Sequence, residues 1–308
     1  MAKKKKTNIV QSPEYTPYDV SGTIPADAFA VLGADTENME AIKRPSISFM
    51  KDAWNRIRKS KVAVVCMIFL AIIILGAIFF PMVIPFDYAK QNVAFQNQPM
   101  FTPDSVTGQM HIFGTDALGR DVFARIWYGA RVSLTVAVAV ALIDCVIGVI
   151  YGGVSGYFGG MIDNIMMRIL EVISGIPYMI IVILLMTVME RGIGTIIVAY
   201  SLTGWTGMAR LVRGQVVSLK EQEFVIAAKT MGAGAGRIIG KHLVPNVLSV
   251  IIINITLDIP NVIFTEAFLS MLGLGIAPPK ASWGIIANDA IKVFQMYPTQ
   301  LVIVALFI

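Results

Sequence analysis

Glu223-Phe-Val-Ile-Ala-Ala-Lys-Thr-Met-Gly-Ala-Gly-Ala-Gly-Arg-Ile-Ile-Gly-Lys-His-Leu-Val-Pro-Asn246 is a polar, basic island between two long apolar segments. Glu223, Lys229, Arg237 and Lys241 keep it out of lipid, where an unpaired charge is expensive. Its pattern is not that of a flexible linker. Phe224, Ile226, Ala227, Ala228 and Met231 predict a short helix with one apolar side. Gly232, Gly234 and Gly236 end it, and residues 238–242 predict a second short helix before Val-Pro-Asn. So compact a loop between membrane-length segments predicts a chain that crosses repeatedly and shows the loop to a soluble partner.

The rest of the composition agrees. The chain has 308 residues, is 56% hydrophobic and has a mean hydropathy of +0.71. Several nearly uncharged runs approach 20 residues, enough to cross a hydrocarbon core of roughly 30 Å. The short alternating segments of a membrane barrel are absent. The fold class is therefore all-α, a polytopic transmembrane bundle of about six spans. Residues 62–85 form the first, 131–156 contain the second, and 169–189 form the third, kinked at Pro177. Residues 193–208 are the core of the fourth and 247–274 the fifth, interrupted by Asn254, Asp258 and Pro260. A sixth begins near Ile291 and is marginal for a crossing, so the last span is either unusually short or cut off at Ile308. Gly152, Gly153, Gly156, Gly159 and Gly160 include small-xxx-small pairs that let helices approach closely in lipid, and 157–168 is a short turn.

Charge gives the orientation. Residues 1–61 are a polar tail in which Pro, Ser, Thr, Asp and Glu dominate up to Glu40, a composition that predicts disorder for much of it, and they hold 11 Lys and Arg against seven Asp and Glu. No apolar run follows Lys3–Lys6 closely enough for a signal peptide. From Ser46, the residues Phe49, Trp54 and Ile57 with Lys51, Arg56, Arg58, Lys59 and Lys61 predict an amphipathic helix on the inner membrane face. Residues 210–241 carry six Lys and Arg against two Glu. Both stretches belong inside, and the slightly acidic segment 86–130 belongs outside. The position of the tail beside the first span favours membrane orientation over nucleic-acid binding.

Soluble-enzyme signatures fail. In the glycine-rich run, Gly240-Lys241 is followed by His242 and preceded five residues earlier by Ala235, so no phosphate loop is formed. Arg237 occupies the third glycine of a dinucleotide fingerprint, leaving hinge glycines as the better account. His111 and His242 lack Cys, His or carboxylate partners at ligand spacing and are assigned to polar surfaces or interfaces, with no metal site and no catalytic residue. Cys66 and Cys145 fall in apolar spans and read as small packing residues. Asp144, Glu171, Asp258 and Glu266 fall inside spans. Each has two readings, a wall of a translocation path or a packing group hydrogen-bonded to neighbouring helices, and Glu171 has Arg168 at hand.

With these residues in view, the island resembles the EAA loop of permease subunits in binding-protein-dependent ABC importers. That pattern reads Glu-Ala-Ala, three residues, Gly, nine residues, then Ile-x-Leu-Pro. Ala227-Ala228, Gly232 and Pro245 keep the register, whereas Ile226, His242 and Val244 depart from it. The peptide branch often has Glu-Phe-Val-x-Ala-Ala and His-x-Leu-Pro-Asn, and Glu223–Ala228 and His242–Asn246 resemble these. Glu223 stands one helical turn before the usual glutamate. Phe113-Gly-Thr-Asp-Ala-Leu-Gly-Arg-Asp121, Glu266-Ala-Phe-Leu-Ser-Met-Leu-Gly-Leu-Gly275 and Pro278-Pro-Lys-Ala-Ser-Trp-Gly284 resemble the C-type subunit of dipeptide and oligopeptide permeases, with Met271 in place of a common Phe. The resemblance runs from about Lys51 beyond Trp283.

The resemblance implies a type I ABC importer permease fold over residues 62–308, with a coupling loop at 220–246, in a bacterial cell membrane with the N-terminus cytoplasmic. It implies a homologous second permease subunit, two ATP-binding subunits below, an extracellular or periplasmic peptide-binding protein above, and membrane lipid around. ATP and Mg would sit on partner subunits, with no cofactor on this chain, which has no ATPase motifs. Glu223, Ala227, Ala228, Lys229, Gly232, Arg237, Lys241, His242 and Pro245 would form the ATPase-coupling loop. Two rivals stand beside a peptide importer: a nickel or other small-solute permease of the same family, and a secondary transporter working alone, which needs paired inverted repeats.

Overall fold

The computed structural model describes residues 54–55, 57–104, 108–189 and 191–308. Most of the tail, including Lys3–Lys6 and residues 46–53 of the expected amphipathic helix, lies outside the described residues, as does Glu190 between the expected third and fourth spans. Residues 1–60 and 61–308 are separate units. In the first, Trp54 is exposed and helical.

The second unit is a helical bundle. Helix α1 (Lys61–Val83) is uniformly apolar and is the expected first span. A segment with a two-stranded hairpin, β1 (Thr102–Pro103) and β2 (Met110–His111), leads to α2 (Val122–Phe158). Helix α2 has 37 residues and contains the expected second span. It starts nine residues before the expected Arg131, because Asp121 caps it: the carboxylate accepts from the Ala124 N–H at 2.6 Å. It ends at Gly159, whose φ of +66° needs glycine. The expected turn over 157–168 is therefore one break, and α3 (Gly160–Gly175) is already helical.

Pro177 does more than kink the third span. It caps α4 (Tyr178–Val188), which turns 72° from α3. The expected fourth span is broken as well, into α5 (Ile193–Ser201) and α6 (Trp205–Leu219). Helix α7 (Glu223–Thr230) is the first short helix of the island. The second is not separate. Residues 235–243 run on into the fifth span as α8 (Ala235–Met271), whose turn at Ile238–Leu243 is π-type. Pro245 explains that turn. A proline lacks the N–H for the carbonyl four residues back and crowds it, and a widened turn relieves both. Helix α9 (Trp283–Lys292) lies between the expected fifth and sixth spans, and α10 (Pro298–Phe307) starts seven residues after Ile291. Among the described residues, three helices are long and apolar enough to cross a membrane, or four if α3 and α4 form one bent span.

Close approach of α2 and α6 centres the bundle. Gly148, Gly152 and Gly156 stand four apart on α2. A Cβ at these positions would lie 2.6 Å from Met208 Cβ, 2.3 Å from the Ala209 carbonyl oxygen and 2.9 Å from the Arg213 carbonyl oxygen. The expected glycine seam is real and extends one turn further, to Gly148. Gly76 of α1 likewise receives the Trp127 ring, which lies against Phe80 with centroids 4.7 Å apart. Cys145 packs half-buried beside α6 and α8, while Cys66 is exposed on α1, so only the former packs inside this chain.

Candidate coupling loop and membrane-embedded carboxylates

Val225 and Ala228, three residues apart on α7, are buried with Met208, Val212 and Val216 of α6 and Ile238, Leu243, Val247 and Ile251 of α8. This corrects the expected apolar side. Phe224, Ile226, Ala227 and Met231 face away from the protein, Met231 at 81% exposure. The two alanines of the motif thus do different things: Ala228 fits α7 onto the bundle and Ala227 is free to meet something else. Glu223 and Ile226 are both exposed, one turn apart, and Glu223 sits in the first turn, where the helix dipole favours an acid.

The helix ends in a Schellman cap. The Gly232 N–H donates to the Lys229 carbonyl at 2.9 Å and the Ala233 N–H to the Ala228 carbonyl at 3.0 Å. Gly232 has φ +81° with no atom near a prospective Cβ, so its requirement is purely conformational. The Lys229 ammonium lies 5.2 Å over the Tyr157 ring, tying α7 to the end of α2. Arg237 and Lys241 are exposed, His242 is half-buried with its carbonyl accepting from Asn246 Nδ2 at 2.6 Å, and Pro245 is exposed.

The four carboxylates separate. Glu266 is fully buried in α8. Its Oε1 accepts from Ser282 at 2.6 Å and Ser270 at 3.0 Å, and its Oε2 from Ser133 at 3.3 Å, which makes it the packing centre of α2, α8 and α9. Glu266→Ala leaves three hydroxyls without this acceptor and is expected to cost about 3 kcal/mol or more, read as a lower melting temperature of the purified protein. Glu266→Gln keeps an acceptor and is expected to lose less. Glu171 is exposed and pairs with Arg168 at 2.9 Å, as its spacing suggests. Asp258 is half-buried and takes a hydrogen bond from Asn254 at 3.0 Å. Asp144 is buried at the break between α5 and α6, against Gly204. Its Oδ1 has no hydrogen-bond partner among the described residues, and its Oδ2 lies 2.0 Å from where a Cβ of Gly204 would be.

Gly204→Ala is therefore expected to lower stability by about 1–3 kcal/mol through overpacking. Asp144→Ala on that background should restore much of the loss. Equal melting temperatures for the single and double variants would contradict the contact.

Residues 145–308 match the family described as binding-protein-dependent transport system inner membrane component, and residues 48–99 match the N-terminal TM domain of oligopeptide transport permease C. The chain belongs to this family. As an inner membrane component it is a helical, multi-pass permease. The permease is 49% identical over 92% of its length to the "Dipeptide transport system permease protein DppC" of Bacillus subtilis, covering 86% of that relative. It is 46% identical to the "Oligopeptide transport system permease protein OppC" of the same organism, covering 92% of this chain and 91% of the relative. It is 41% identical to OppC of Escherichia coli K12, with 85% of each chain covered.

The permease also holds three constellations that sequence spacing missed. His111 is buried, with Nδ1 2.7 Å from Asp121 Oδ2, Nε2 3.6 Å from Asp104 Oδ2, and its ring stacked on Phe86 at 4.3 Å. This corrects its assignment to a polar surface without carboxylate partners. The hairpin turns it back onto the helix cap ten residues on, beyond local ligand spacing. Burial pushes the Asp121 carboxyl up, against the pull of the Ala124 N–H and His111. In the Phe113–Asp121 motif, Asp116 accepts from the Leu118 and Arg120 N–H groups, from Arg120 Nε at 2.7 Å, and from Arg125 Nη1. Arg120 and Arg125 reach on to Asp289 of α9, so this motif joins the hairpin segment to the C-terminal helices. At the opposite end of α2, Asp163 accepts from Ser155 at 2.5 Å and from Arg213 at 3.0 and 2.5 Å, and locks α3 to α6.

Proposed function

We propose that this permease is one of two membrane subunits of an ATP-driven importer of short peptides, and that α7 couples it to a cytoplasmic ATP-binding subunit. The observation that supports this reading most is the division of α7. Val225 and Ala228 anchor the helix to α6 and α8, so a push on the helix moves both. Phe224, Ile226, Ala227 and Met231 make an apolar outer side at the polar end of the bundle, suited to a partner's groove. The permease has no phosphate-loop pattern of its own, so ATP and Mg belong to the ATP-binding subunits. The basic stretch 210–241 supports a cytoplasmic position for α7 and the N-terminus in a bacterial cell membrane. The segment 84–121 then faces the peptide-binding protein. Asp144 and Asp258, beside the α5–α6 break and Pro260 of α8, are the carboxylates we assign to the moving part of the path. The printed names of the relatives support a peptide cargo.

The test is uptake by proteoliposomes holding the full complex with its receptor. Labelled di- to pentapeptides should accumulate only with internal ATP. Accumulation of nickel with no peptide would move the cargo to the other branch, and accumulation without ATP-binding subunits would overturn the importer reading.

A further inference from the structure

A groove of about 730 Å³ opens between α1, α2 and α8 at membrane depth. Leu70, Ile74, Ile78, Leu134, Val138 and Leu142 form much of its wall. Two threonines also line it, but neither offers it a hydroxyl: Thr135 donates to the Arg131 carbonyl at 2.6 Å and Thr256 to the Ile252 carbonyl at 2.8 Å. The wall is therefore hydrocarbon, apart from Arg131 at the end nearest the segment 84–121. From Arg131 to Leu142 the groove follows twelve residues of α2, about 16 Å at helical rise. That is about one leaflet of a hydrocarbon core of roughly 30 Å.

Arg131 is unusual at this depth. Among the described residues, no carboxylate pairs with it. Pro81 of α1 lacks an N–H, so the Ala77 carbonyl loses its helical donor. Arg131 Nε supplies one at 3.2 Å, and its Nη2 donates to the Ile78 carbonyl at 2.7 Å. This fixes the guanidinium at the groove's mouth with Nη1 making neither bond and its charge uncompensated. A fixed cation at the leaflet boundary, over a hydrocarbon slot one leaflet long, is complementary to a phosphate joined to an acyl chain.

We propose that the groove is a binding site for one anionic phospholipid of the leaflet facing the segment 84–121, with its phosphate on Arg131 and an acyl chain against Val138 and Leu142. The lipid fills the gap between α1 and the rest of the bundle and so sets their spacing.

The experiment is photolabelling of the full complex in nanodiscs. Two probes with the same diazirine acyl chain are compared, one a phosphatidylglycerol and one a phosphatidylcholine, and labelled peptides are mapped by mass spectrometry. The anionic probe should label residues 70–78 and 134–142 about fivefold more than the zwitterionic one. Arg131→Gln should reduce that ratio to about one. Because Arg131 also holds α1, Val138→Trp is the second variant: it fills the slot, leaves the arginine in place, and should abolish labelling of 134–142 by either probe. Equal labelling by both probes in the unaltered protein would overturn the proposal. So would absent labelling combined with disulfide capture of a Val138→Cys chain by the second permease subunit, which would make the groove a subunit interface.

Discussion

Gly152→Val is expected to yield a chain that inserts into the membrane but neither assembles nor transports. The added Cβ would stand 2.3 Å from the Ala209 carbonyl oxygen and 2.9 Å from the Arg213 nitrogen. Both are backbone atoms of α6, so no side-chain rotation relieves the clash. The helices must separate, and the loss spreads to Gly148 and Gly156 one turn to either side. Overpacking of this kind costs about 3 kcal/mol or more when backbone has to move. In lipid no hydrophobic term draws the helices back, because association there depends on close packing. The measurement is recovery of the folded complex by size-exclusion chromatography after membrane extraction, with less than a tenth of the unaltered yield expected. Gly175→Val is the control, since no atom lies within 4 Å of its prospective Cβ. An equal yield for both variants would contradict the seam.

The second large effect is at the coupling loop. Gly232→Pro is expected to abolish peptide uptake while the permease still inserts. Proline is held near φ −65° and cannot adopt +81°, and it deletes the N–H that caps the Lys229 carbonyl. Gly232→Ala keeps the donor and is expected to cost only about 1–2 kcal/mol of left-handed strain, with partial uptake. The docking face is tested separately. Ala227→Arg changes an exposed side chain and should uncouple the transporter with its melting temperature unchanged. Ala228→Arg, by contrast, forces a charge among Val225, Val216 and Leu243 and should unfold the loop. Uptake lost equally and with equal loss of stability in both would mean that α7 only packs.

Much of this was legible from the sequence because membrane helices advertise themselves. Uncharged runs marked α1, α2 and α8, and the polar island marked the loop between broken and unbroken spans. The failures share a physical origin. The apolar run that contains the second span begins at Arg131, yet a cap at Asp121 sets the helix start nine residues earlier. Pro177 and Gly204 mark true breaks where composition alone shows continuous spans. The island's second helix merged with the span because a π-turn absorbs Pro245, which spacing rules treat as a stop. Of the site, the motif register located α7 and Gly232, but helical phase had to come from the fold: Ala228 faces inward and Ala227 outward. His111 with Asp121, and Arg120 and Arg125 with Asp289, were hidden because their partners are brought together by the hairpin and by α9.

The central claim, that α7 is the contact with the ATP-binding subunit, is tested most directly by cysteine crosslinking in the assembled complex. A single cysteine is placed at Ala227 on the outer side of α7 or at exposed Met110 in the hairpin of the segment 84–121, in a chain whose own Cys66 and Cys145 are replaced by alanine. With a short maleimide–diazirine crosslinker, which joins the cysteine to any adjacent chain on illumination, the cysteine at 227 should capture the ATP-binding subunit, and more so after ATP is added. The cysteine at 110 should capture only the peptide-binding protein. Capture of the ATP-binding subunit from position 110, with none from position 227, would contradict both the coupling role and the orientation of the chain.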